Sequence, residues 1–250
     1  MELPHHSWQE FSYNKMLTKL KKELKQLSSP EKSKIYARFF KSSKGQYGAG
    51  DIFLGLTVPE QRRLAQKYVD LKFDEIKILL HSKYHEHRLT GFFILCYKYQ
   101  KARNSEKAKI IDFYLKHKHR ANNWDLIDCV ADKLLGKHII DKDKSILYEL
   151  AKSESLWDRR IAIITTFEFI RKGKFDDTIK ISEILLNDKH DLIHKAVGWM
   201  LREIGKRDEK ELIKFLDKHY KKMPRTMLRY SVERLDKKRK KFYMKKQNKV

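Results

Sequence analysis

The sequence predicts an all-α protein built of stacked helical hairpins, and three observations carry that prediction. Only 9 Gly and 4 Pro interrupt its 250 residues. Apolar residues recur at helical rather than alternating spacing, and no short β-branched run bounded by hairpin turns suggests a sheet. Several segments also resemble one another at a nearly constant step.

The helix starts can be taken in order. Ser28-Ser29-Pro30-Glu31 and Thr57-Val58-Pro59-Glu60 both read as capping boxes with Pro in the first turn. Cys96 and Cys129 lie inside apolar helical runs, with neither a disulfide framework nor zinc-ligand spacing around them. Asn122-Asn123 offers an N-cap that places Trp124 in the first turn of the next helix. Asp208-Glu209-Lys210-Glu211 repeats the capping spacing, and Pro224 marks the start of the last helix. From Lys237 onward, KKRKKFYMKKQNKV is dense in cations and either follows phosphates or frays in solvent.

The segments HEHRLTGFFIL, ANNWDLIDCVA, LWDRRIAIITT and LIHKAVGWMLR each set an apolar helix after a short polar stretch. Aligned, they make Arg88, Trp124, Arg160 and Lys195 equivalent, at steps of 36, 36 and 35. A poorer copy, KMPRTMLRYSVERL, follows. A helical bundle with regular loops gives similar spacing, but self-similarity at one period favours HEAT-like hairpins stacked into a curved α-α superhelix with a concave wall. The expected organisation is a single domain over residues 1–250, with a short N-terminal segment (about 1–12) and a basic C-terminal tail (about 237–250).

Charge narrows the function. Lys plus Arg number 57 against 33 Asp plus Glu, a formal net charge of +24. Such a charge repels itself in the compact state unless a polyanion offsets it, and nucleic acid is the first candidate; a merely solvated basic surface is the alternative. The N-terminal MELPHHSWQEF lacks a signal-peptide pattern, and the longest apolar run, GFFILCY (Gly91 to Tyr97), is too short to span a bilayer. A cytoplasmic location is expected.

Some residues stand in the wrong place for a core. Between Asp191 and Lys206, a stripe of Ile193, Val197, Met200, Leu201 and Ile204 faces inward, while Trp199 lies opposite it beside Lys195 and Arg202. An indole between two cations suits a sugar or base flanked by phosphates, although most tryptophans are core. Trp124 and Asp128 stand four residues apart, beside a buried stripe of Ile127, Val130, Ala131 and Leu134. Taken separately, they read as repeat packing and a surface ion pair. Arg160 sits in a helix that is apolar nearly all round, from Trp157 to Ile170, and needs an anion: Asp128 or a phosphate. Lys195, Arg202, Arg88 and Arg159 are the expected phosphate contacts.

Four segments then carry a resemblance: FLGLTVPEQRRLA (Phe53 to Ala65), NNWDLID (Asn122 to Asp128), LWDRRIAI (Leu156 to Ile163) and KAVGWMLRE (Lys195 to Glu203). From about Lys32 to Leu235 the chain resembles the AlkD-like DNA alkylation-repair glycosylases, which are built of HEAT-like repeats. The resemblance implies an active site of Trp124, Asp128, Arg160 and Trp199. It also implies recognition of the lesion from its backbone rather than in a base-reading pocket. An aromatic of the family's site matches only loosely, at Phe39 or Tyr47. The insert KSSKGQYGAGD (Lys41 to Asp51) precedes FLGL, and Thr57 stands where some relatives have an amide.

The expected reaction is hydrolysis of the N-glycosidic bond of N3- or N7-alkylated purines in duplex DNA. The cationic base leaves, and an oxocarbenium-like sugar develops. Asp128 would stabilise that cation and position water. Trp124 and Trp199 would cradle the deoxyribose, and Arg160 would hold a phosphate and orient Asp128. No cofactor or metal is expected: His85-Glu86-His87 and His117-Lys118-His119 lack i, i+4 ligand spacing. No Ser or Cys nucleophile has a placed base, and no lysine is placed for Schiff-base chemistry, so no strand-cleaving lyase activity is expected. A monomer with no obligate protein partner and no membrane contact is expected. The alternatives are a non-catalytic binder of bent, branched or structured nucleic acid, and a HEAT-type scaffold for an acidic protein.

Overall fold

A computed structural model describes residues 6–245, with side chains described from residue 15 onward. Residues 1–5 and 246–250, the outer ends of the expected N-terminal segment and basic tail, lie outside the described residues. The fold is all-α. Among the described residues there is no strand, only a single parallel bridge between Ile52 and Tyr84. No helix among them is long and apolar enough to cross a membrane. The chain divides into two compact units, one ending at Leu126 and the other beginning at Ile127.

In the first unit, the helix His85–Lys101 is packed by Val58–Lys67, Phe73–Leu80 and Asn104–His117. Every residue from His85 to Cys96 is buried, which explains why GFFILCY carries no polar face. Ser29 caps the helix Pro30–Phe39 by accepting from Lys32 N–H, and Glu60 returns to Thr57 N–H at 2.7 Å, as the capping spacing predicts. The insert ends in the bridge: Ile52 N–H donates to Lys83 O at 3.1 Å and His85 N–H to Ile52 O at 2.9 Å.

In the second unit, Leu156–Thr165 packs on Ser145–Ala151 and on Asp191–Gly205, and Asp191–Gly205 packs in turn on Arg225–Ser231. LWDRRIAIITT, LIHKAVGWMLR and the poorer copy KMPRTMLRYSVERL therefore follow one another in a packed row. The expected inward stripes are buried: Ile193, Val197, Met200, Leu201 and Ile204 are at most 1% exposed, and Ile127, Val130, Ala131 and Leu134 are 0% exposed.

Hydrogen bonds correct the repeat register. Arg88 donates to Ser82 O (2.9 Å), Arg159 to Ser153 O (3.0 Å) and His194 to Asp188 O (2.5 Å), each reaching the carbonyl six residues earlier. In all three turns the side-chain oxygen of Ser82, Ser153 or Asp188 also accepts the N–H two residues on. Arg159 and His194, not Arg160 and Lys195, are therefore the counterparts of Arg88. Apolar periodicity tolerates a one-residue slip; a turn closed by a side chain does not. A second correction concerns the C-terminus. Pro224 precedes the helix Arg225–Ser231, but this is not the last one. Asp236 caps a further helix, Lys237–Met244, whose Tyr243 donates to Asp217 at 2.6 Å, so this part of the basic tail is ordered structure.

Candidate active site

Asp128 and Arg160 meet in the second unit. Arg160 Nε and Nη2 donate to the two Asp128 oxygens at 2.8 and 2.7 Å, and Nη1 donates to Leu192 O at 2.5 Å. Arg160 is only 4% exposed, so its charge depends on these partners. The fork spends one edge on the carboxylate and its remaining nitrogen on the first turn of the next aligned helix. The Asp128 side chain keeps 13% of its surface open. Just beyond it lies a π-helical turn, Asp132–Gly136, whose buried Asp132 pairs with Arg171 at 2.5 Å.

Trp199 is half-buried, and two contacts set its plane. Its ring lies 5.5 Å from Phe167, which carries the Arg171 guanidinium on its face at 3.9 Å. Its indole N–H donates to Glu203 at 3.3 Å. Burial pushes the Glu203 carboxyl up, but Lys206 and Arg207 outweigh this and hold it below the usual carboxylate range. Sequence reasoning did not single out Glu203. The signal was present: Trp199 and Glu203 repeat the four-residue spacing of Trp124 and Asp128.

Trp124 belongs to the first unit and opens the short helix Trp124–Asp128. Its N–H donates to Asn123 Oδ1 at 2.9 Å, and its half-buried ring meets Phe39 at 5.7 Å and Phe40 at 5.3 Å. Phe39 is 60% exposed, an apolar ring left in solvent beside an indole. Phe39 and Phe40, with Tyr36, Phe53 and Gln61, line a cavity of about 150 Å³.

The four expected phosphate contacts separate. Arg88 is a correction: at 2% exposure, with its guanidinium on Asp51, Ser82 O and Asn122, it has no face for DNA. Its cation serves the interior. Arg159 is committed to Asp188 (2.6 Å) and to the Ser153 and Glu154 carbonyls. Arg202 pairs with Glu233. Lys195 pairs with Asp191 at 2.6 Å, but both side chains are exposed, so water or a phosphate competes easily.

A family model described as DNA alkylation repair enzyme matches residues 20–235. Among solved structures, a predicted DNA alkylation repair enzyme from Enterococcus faecalis is similar at 17% identity and a TM-score of 0.66, over 84% of this chain and 97% of that one. AlkD2 from Streptococcus mutans is similar at 19% identity and a TM-score of 0.56, over 90% of this chain and 99% of that one. At these identities the likeness concerns the fold. No curated protein gives a significant match.

Proposed function

The chain belongs to the DNA alkylation repair enzymes, and from that premise we propose that it is a monofunctional DNA glycosylase releasing N3- or N7-alkylated purines from duplex DNA. One observation carries the reading: a partly open carboxylate, Asp128, clasped at both oxygens by a buried arginine. A fixed anion has no use against a phosphate track unless a positive charge develops beside it. Glycosidic cleavage of a cationic purine supplies that charge at the sugar.

In this mechanism the alkylated base leaves with the bonding pair and is neutral on departure. The Asp128 carboxylate stabilises the sugar cation and orients a water, which adds at the anomeric carbon and gives up its proton to bulk water. Arg160 keeps both carboxylate oxygens in one plane. Trp199, held by Phe167 and Glu203, and Trp124, one turn before Asp128 on the same short helix, offer indole faces to the deoxyribose. Lys195 meets a neighbouring phosphate. The proposal keeps the single-domain, HEAT-like organisation and a monomer acting without metal or organic cofactor.

The test is release of 3-methyladenine and 7-methylguanine from methylating-agent-treated duplex DNA by the parent protein and by Asp128→Asn. Release by the parent alone is the expected result. No release by either, together with tight DNA binding, would replace the proposal with a non-catalytic nucleic-acid binder. Nicking of abasic DNA by the pure protein would overturn its monofunctional part.

A further inference from the structure

The Lys41–Asp51 insert has no part in the mechanism above, yet its last residue reaches deep into the first unit. Asp51 Oδ2 accepts from His85 Nδ1 at 3.0 Å and from Arg88 at 2.6 Å, while Oδ1 accepts from Asn122 at 3.0 Å. On the other side of the ring, His85 Nε2 lies 2.8 Å from Asp125 Oδ2. An imidazole with a carboxylate at each nitrogen must carry a proton on both, so the geometry selects the imidazolium. Phe53 at 4.7 Å and Phe40 at 5.1 Å stack against the ring as well, and since they lie only 5.3 Å from each other they cover it from one side.

This cluster leads to Trp124. Phe40, stacked on His85, is also in contact with the indole. Asn123 donates to Phe40 O at 3.0 Å while its own Oδ1 holds the Trp124 backbone N–H. The insert lies directly over that hydrogen bond: a Cβ at Gly48 would come within 2.5 Å of Phe40 O and 2.9 Å of Asn123 Nδ2. Asp125, the other carboxylate of the clamp, is the residue after Trp124.

We propose that His85, clamped as an imidazolium between Asp51 of the insert and Asp125, is the positioning residue for Trp124, and that the insert serves to supply the second carboxylate. The inference rests on the reading of Trp124 as part of the glycosylase site. The buried charges balance in the clamped state, with His85 and Arg88 against Asp51 and Asp125. The other groups facing the ring do not change this. Asn122 is neutral, the Glu86 carboxylate is occupied by the N–H groups of Leu54, Gly55 and Leu56, and burial pushes the Tyr36 phenol up, with Glu86 adding to it. Burial by itself would push His85 down; Asp125 and then Asp51 outweigh it and raise the ring to about 9. Loss of that proton leaves a lone pair facing a carboxylate, which opens one side of the clamp.

The test follows Trp124 directly, as the difference in emission between the parent and Trp124→Phe, from about pH 7 to about pH 10.5, with helix content monitored in parallel. The expected result is a Trp124 transition with a midpoint near pH 9 while the helices persist. In His85→Gln the transition is absent, and base release near neutral pH slows by about tenfold or more through misplacement of the indole. Asp51→Asn removes one clamp at the edge of the cluster and moves the midpoint down, so the idea stays testable even if His85→Gln fails to fold. A flat Trp124 signal across the range in the folded parent overturns the proposal, as does a midpoint unmoved by Asp51→Asn. Because emission needs no catalysis, a titrating Trp124 in a protein that releases no base would sink the glycosylase reading and leave the clamp standing.

Discussion

Removing one partner of a buried ion pair costs more than the pair contributes, because the survivor keeps a charge with nothing to balance it. In Arg160→Ala, the Asp128 carboxylate loses the two N–H groups of Arg160 and Leu192 O loses one, and the variant is expected to lose about 3 kcal/mol of stability. Chemical denaturation reads this directly; an unchanged midpoint would mean the clasp carries no load in solution. His85 makes the second prediction at this scale. Its folded value of about 9 lies above the ordinary 6.5, so its contribution is complete below pH 6.5, falls as the unfolded chain loses the proton, and is gone above pH 9. The size is on the order of 3 kcal/mol. Stability measured against pH should decline across that window in the parent, and the slope should flatten in His85→Gln.

Between elements, close approach sets the geometry. The helix Asp191–Gly205 meets Arg225–Ser231 at Gly198, where a Cβ would lie 2.5 Å from Tyr230 Cβ and 2.6 Å from Met227 O. Backbone cannot step aside as a flexible side chain does, so Gly198→Ala is expected to cost about 1–3 kcal/mol and to tilt the helix carrying Trp199. Denaturant unfolding and base release should fall together; a variant as stable as the parent would show that the two helices slide freely. The side-chain-closed turns at Ser82, Ser153 and Asp188 act at this scale too, since each fixes where its helix begins, and at Ser153 this decides that Arg160 rather than Arg159 reaches Asp128.

For the whole molecule the dominant quantity is the net charge of +24. If DNA is the partner, each phosphate neutralised releases a counterion, and a footprint of about 6–10 phosphates should cost about 10³–10⁵ in affinity between about 50 and 200 mM salt. Duplex binding followed by anisotropy across that range tests this. A nearly flat response would favour an acidic protein as the partner.

The all-α class, the helix starts at Ser29, Thr57 and Asp208, and the buried stripes opposite Trp199 and beside Asp128 were legible in the sequence, because capping and apolar periodicity are local and act within a few residues. That Arg160 needs an anion was legible too, but the choice between Asp128 and a phosphate was left open until the structure showed the guanidinium on Asp128. What only the tertiary structure decided depends on groups far apart in the chain. Arg88 and Arg160 occupy similar apolar helices, yet Arg88 is enclosed with Asp51, 37 positions away, whereas Arg160 holds a carboxylate that stays partly open. His85 had no role assigned by its spacing, and its two carboxylate partners come from distant segments, one of them an insert with no periodicity to interpret. Local spacing determines which face of a helix is polar; which charge waits on that face is set by the neighbour that folds against it.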